Sequence, residues 1–162
     1  SKMPSHNMDF SEFVRPLTVE AFIRQYWNAR PFMSTLRAAV LERLRDGFHC
    51  GKVASVLAEC RRVDNSLYSA DEVSEMEREL DGRRTLNLPY CFCDGALDLS
   101  ASFIQGCGEL ANDVEVGVYF SEVGGDIASW HHDNNHNFTI QLYGQKEWYH
   151  IPGHLAADGS AG

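Results

Sequence analysis

The sequence has no apolar run of about 18 residues, the length that a membrane-spanning helix needs, so a transmembrane reading is excluded. Basic charge is also scarce: 14 Lys and Arg stand against 23 Asp and Glu, a formal net charge of -9. That deficit argues against a protein that wraps a polyanion, and it suits a basic peptide or basic protein as partner. Cysteine does not come in an even set. Cys50, Cys60, Cys91, Cys93 and Cys107 are five, and without a hydrophobic leader they point to free thiols in a reducing, intracellular compartment, cytoplasmic or nuclear. Cys91-Phe92-Cys93 alternates as strand residues do. As metal ligands the two cysteines would need two more at comparable spacing, which Cys107 alone does not supply, so they read as structural. No internal repeat is present. What remains is an ordinary globular composition, 44% hydrophobic and 23% charged over 162 residues, which excludes wholesale disorder and is long enough to bury a core without disulfides.

The first half reads as helical. Thr18 can cap a helix through about Asn28, with Phe22, Ile23, Tyr26 and Trp27 on one apolar face, and Pro31 ends it. A second helix runs from Ser34 to Gly47 with Leu36, Val40, Leu41 and Leu44 at helical spacing. A third, from Lys52 to Arg62, presents Val53, Val56, Leu57 and Cys60. Ser69 and Glu72 form a capping box before a fourth helix through Leu80, with Val73, Met76 and Leu80 inward and Glu75, Glu77 and Glu79 toward water. After Gly82 the character changes. Thr85 to Phe92 reads as extended, and Ala101 to Leu110 is a short glycine-rich segment of ambiguous type.

Val114, Val116 and Val118 alternate with Glu115, Gly117 and Tyr119, which predicts a strand. A turn follows at Gly124-Gly125-Asp126. Asn137 to Tyr143 then alternates polar positions with Phe138, Ile140 and Leu142, and Gly144-Gln145 turns the chain into Lys146 to Ile151, which predicts two antiparallel strands. Helices followed by strands give the expected order, although four or five strands are few for a closed jelly roll.

The chemistry concentrates in Trp130 to Asn137, where three imidazoles and one carboxylate fall within eight positions. On an extended strand His131 and Asp133 share a face while His132 takes the other, so the HxD pair can grip one metal. Imidazole nitrogen with carboxylate oxygen suits Fe(II), Mn(II) or Zn(II), and two His with one carboxylate is the facial arrangement of non-haem iron. A hairpin would return Lys146 beside the polar face of the preceding strand, where its ammonium could hold a dicarboxylate cosubstrate.

The run HHDNNHNFTIQLYGQKEW, His131 to Trp148, resembles the iron- and cosubstrate-binding segment of JmjC-type, cupin-like 2-oxoglutarate oxygenases, especially their ribosomal-oxygenase and asparaginyl-hydroxylase branch. The matching elements are His131 and Asp133, Phe138, Gln141, Gly144, Lys146 and Trp148. Val118-Tyr119-Phe120-Ser121 with Gly124-Gly125 resembles the strand and loop before HxD in that family, and Phe22 to Pro31 (FIRQYWNARP) resembles its N-terminal helix. The resemblance implies a mainly β fold with N-terminal helices: residues 1–82 a helical region, residues 83–162 the first part of a double-stranded β-helix of jelly-roll or cupin type, incomplete in this chain. It further implies an Fe(II)- and 2-oxoglutarate-dependent oxygenase that hydroxylates a protein side chain. His131 and Asp133 would be metal ligands and Lys146, Asn137 and Tyr119 cofactor-binding residues, with Trp148 and Tyr119 otherwise serving as packing residues. A protein or peptide is the expected substrate, with a tRNA left open.

The family's third iron ligand is a His on a later strand, which this chain does not supply. His150, His154 and His136 are the local alternatives, and a zinc hydrolase built on His131, Asp133 and His136 is a weaker reading. Whether this chain is an enzyme therefore stays open. The competing reading is a noncatalytic cupin-like interaction or structural domain, in which half a β-helix leaves edges for a homodimer or for completion by another chain.

Overall fold

The computed structural model describes residues 8–82, 84–111, 113–124, 131, 133 and 135–150. Two of its helices start where the sequence supplies caps. The Thr18 hydroxyl accepts from Ala21 N at the head of α1, Val19–Gln25. At the head of α4, Ala70–Asp81, the Ser69 hydroxyl accepts from Glu72 N while the Glu72 carboxylate accepts from Ser69 N, a complete capping box. Between them lie α2, Ala38–Gly47, and the short α3, Val53–Leu57. All four helices are shorter than their apolar periodicity suggests or shifted by a residue, yet the inward residues are those expected: Phe22, Val40, Leu44, Val56, Leu57 and Leu80 are buried.

A fifth helix, α5, Asp94–Cys107, starts before the ambiguous segment Ala101 to Leu110 and takes in its first seven residues. Its buried Ala96, Leu99, Phe103 and Cys107 recur at helical spacing. It crosses α2 where Gly47 meets Gly95: a Cβ on Gly47 would lie 2.6 Å from the Gly95 Cα, so this contact requires glycine. Near its far end Gly106 receives Phe10, which belongs to a 3-10 turn over Phe10–Phe13. The buried Ser102 hydroxyl donates to the Met8 carbonyl, which ties the same turn to α5.

Strands are few and short among the described residues. β1, Cys60–Arg61, pairs antiparallel with β3, Tyr90–Cys91, and β2, Leu86–Leu88, pairs antiparallel with β4, Val118–Phe120. In the second sheet Leu86 faces Phe120, Asn87 faces Tyr119 and Leu88 faces Val118. The Cys91 amide also donates to the Val116 carbonyl at 2.8 Å, so the chain before β4 runs beside β3. Val114, Val116, Val118 and Phe120 pack on the core, as the valine alternation predicts.

The expectation of a mainly β, jelly-roll or cupin-like double-stranded β-helix is overturned. Helix accounts for 44% of the described structure and strand for 8%, in two separate two-stranded sheets. The two antiparallel strands expected over Asn137 to Ile151 are not formed among the described residues either. The alternation there is satisfied by laying one row of apolar side chains on a helical floor, which needs no partner strand.

Two outcomes follow from this packing. Gly106→Ala places a Cβ 2.1 Å from the Phe10 Cβ, and urea unfolding should show a loss of about 1–3 kcal/mol, the usual cost of overpacking. Glu72 is the second case: the Arg62 guanidinium, then the Ser69 amide and hydroxyl, hold its carboxyl down from 4.5 to about 2. A depressed carboxyl stabilises the fold above its unfolded value and loses that contribution as pH falls through its folded value. The stability gap between wild type and Glu72→Gln should therefore be full above pH 4.5 and close as the pH falls toward 2, followed by thermal unfolding across that window.

Candidate functional site

The segment from Asn135 to His150 carries most of the expected site residues, and one ring fixes its position. Phe138 lies 4.8 Å from Phe103, 6.0 Å from Phe22, and 6.1 Å from both Phe10 and Trp27, measured between ring centroids. Ile140 and Leu142 follow on the same side and pack against the core. The Arg45 Nε donates to the Leu142 carbonyl at 2.8 Å, and its guanidinium lies 4.8 Å from the centre of the Tyr143 ring. Gly144, at φ +68°, then turns the chain.

The opposite row, Asn137, Thr139 and Gln141, faces outward. Among the described residues, 137–143 make no backbone–backbone hydrogen bond. Gln141 Nε2 donates to the Tyr143 carbonyl at 2.7 Å. This segment is thus docked by its side chains; apart from the Leu142 and Tyr143 carbonyls, which accept from side chains, its main-chain groups make no hydrogen bond among the described residues.

His131 and Asp133 do come together, with Nε2 and Oδ1 3.8 Å apart, but both are exposed, at 60% and 45% of their side-chain surface. The Asn137 amide donates to Asp133, so Asn137 contacts the carboxylate directly. Among the described residues no third ligand joins them. His136 lies against Trp27 with ring centroids 4.5 Å apart, His150 is exposed, and His132 and His154 lie outside the described residues. Among the described residues no group of three His, Cys, Asp or Glu side chains is arranged to hold a metal ion.

Lys146 takes a different position from the one expected. Its Nζ sits 4.7 Å from the Trp148 ring centre and 5.5 Å from that of Tyr119, at the surface. The ammonium expected to pair with a distal carboxylate is held by two aromatic faces instead. Tyr119 and Trp148, expected to pack, are 61% and 64% exposed. For Tyr119 the signal was present in the sequence, because it lies out of phase with the inward valines.

The chain matches no family model, no curated protein and no solved structure. The resemblance to the JmjC-type oxygenases is therefore not upheld: the fold is mainly helical, and among the described residues the donor set does not close around a metal. Fe(II) and 2-oxoglutarate do not fit the arrangement of His131, Asp133, Asn137, Tyr119 and Lys146, and the oxygenase reading falls with them. Among the described residues no helix is long and apolar enough to cross a membrane.

The side-chain docking of this segment is directly measurable. Phe138→Ala should lower unfolding stability by about 2–3 kcal/mol, below the range for a fully buried ring because Phe138 is 37% exposed. Thr139→Ala, on the outward row, should change it by less than about 0.5 kcal/mol.

Proposed function

We propose that the chain is a noncatalytic protein-interaction domain whose docking face takes an extended, basic polypeptide segment. The observation that carries this reading is the segment at 137–143, anchored on one face by Phe138, Ile140 and Leu142, which makes no backbone–backbone hydrogen bond among the described residues. Main chain left without backbone partners in this way is a template for strand addition, in which main-chain hydrogen bonds supply affinity and alternate side chains supply specificity.

The neighbouring surface is suited to such an occupant. Tyr119 and Trp148 meet at the Lys146 ammonium, Tyr149 is 74% exposed, and Val123 is 92% exposed. Exposed Tyr and Trp supply large contact area at low conformational cost. Asp113 and Glu115, before β4, and Glu122, after it, are exposed, and Glu147 adds a carboxylate next to Lys146 in the chain. With a net charge of -9, a second copy of this chain meets like charge, whereas a Lys- or Arg-rich segment meets opposite charge.

A peptide of alternating Lys and Val tests the proposal by NMR titration, with alternating Glu and Val as control. Saturable shifts at Asp113 to Phe120 and Asn137 to Trp148 are expected with the basic peptide, and binding should weaken as salt rises. Tyr119→Ala with Trp148→Ala should weaken it by at least about tenfold, while His131→Ala leaves it unchanged. Equal binding of both peptides, or no shifts in these segments, would overturn the reading.

A further inference from the structure

Outside this face, the structure gathers three thiols in the core. Cys60 and Cys93 are fully buried and Cys91 is 5% exposed. The Cys91 and Cys93 sulfurs are 3.5 Å apart, and Cys60 stands directly opposite Cys91 in the β1–β3 pair.

The register of that pair decides what the thiols can do. Phe92 N donates to the Glu59 carbonyl at 2.9 Å, which makes Glu59 and Phe92 a hydrogen-bonded pair. Cys60 and Cys91, one step along, are then a non-hydrogen-bonded pair, and the Cys91 amide accordingly points away from β1 to Val116. In such a pair the Cα atoms lie about 4.5 Å apart and the side chains approach most closely. That separation falls within the range of about 4.4–6.8 Å that a disulfide spans. A Cys91–Cys93 bridge would instead close a three-residue loop and pull on Cys93, whose carbonyl accepts from Leu97 N at 3.0 Å in the first turn of α5.

We propose that Cys60 and Cys91 are a site of reversible oxidation, forming a cross-strand disulfide with hydrogen peroxide as the oxidant. The Cys60 thiolate attacks one peroxide oxygen, the O–O bond breaks, and hydroxide leaves to give a sulfenic acid. Cys91 then attacks the sulfenic sulfur, the S–O bond breaks, and a second hydroxide leaves. The two thiol protons convert both hydroxides to water, so two thiols lose two electrons and one peroxide gains them. Hydrogen bonding from Cys91 holds the Cys60 thiol below its ordinary value, whereas the same bond, together with burial, pushes Cys91 up to about 11. Cys93 is also pushed up, first by its hydrogen bond to Cys91 and then by burial. These directions favour Cys60 as the attacking sulfur of the opposed pair.

Burial selects the oxidant. Thiols this enclosed disfavour a bulky disulfide such as oxidised glutathione, whereas peroxide is close to water in size. The β1–β3 pair has two residues on each side, so its local opening is a small event.

The test is peroxide treatment of the intact chain, followed by removal of peroxide, denaturation and alkylation. The five cysteines should fall to three alkylatable thiols, with a mass loss of two hydrogens and a non-reduced peptide pair joining Cys60 to Cys91. Dithiothreitol should restore all five. Cys50→Ala with Cys107→Ala should keep the bridge, and Cys60→Ala should abolish it. Five free thiols after treatment, a bridge mapped to any other pair, or oxidation to sulfinic acid without a bridge would each overturn the proposal. The wild-type measurement stands whether or not a variant folds.

Discussion

The junction of Phe10, Phe22, Phe103 and Phe138 is the contact on which the rest of the structure depends. These rings come from the N-terminal 3-10 turn, α1, α5 and the extended segment, four pieces far apart in the chain. Phe10 meets Phe103 edge to face at 4.9 Å, and Phe138 meets Phe103 in the same manner at 4.8 Å. Such edge-to-face pairs add about 0.5–1.5 kcal/mol beyond area burial and impose an orientation that aliphatic packing does not. Glycine makes the approach geometrically feasible, at Gly106 beneath Phe10 and at the Gly47–Gly95 crossing.

Once Phe138 is seated, the period of an extended chain sends Ile140 and Leu142 to the same floor and turns Asn137, Thr139 and Gln141 outward. Arg45 fixes the end of the segment through the Leu142 carbonyl and the Tyr143 ring. Beyond the Gly144 turn, Lys146 joins Trp148 to Tyr119 of β4. The aromatic surface therefore joins the 137–143 segment, which is positioned by core contacts, to Tyr119, which is positioned by the β2–β4 pair. The Cys60–Cys91–Cys93 cluster lies in the same core, where β1 and β3 meet the head of α5.

Local features were legible in the sequence. Thr18 and the Ser69–Glu72 box cap the helices they were expected to cap, and the Val114–Val118 and Phe138–Leu142 rows face inward. α5 was not legible as a whole: Gly106 and Gly108 obscured its end, no side chain caps its start, and the Ala96, Leu99, Phe103 and Cys107 spacing was the signal passed over. The site failed for a different reason. HxD is a local pattern, but a metal centre needs a third donor brought by tertiary structure, and His136 is committed to Trp27. Likewise, alternation reports which side of a chain is buried and says nothing of what covers it. Here the cover is the helical core on which Phe138, Ile140 and Leu142 lie partly buried or exposed, not a jelly-roll interior.

Amide hydrogen exchange over residues 137–143, alone and with the alternating Lys–Val peptide, tests this account most directly. An unpaired but side-chain-anchored strand predicts fast exchange in the isolated chain and protection at alternate amides when the peptide is bound. Strong protection of these amides in the isolated chain would show that the edge is already paired and would contradict it.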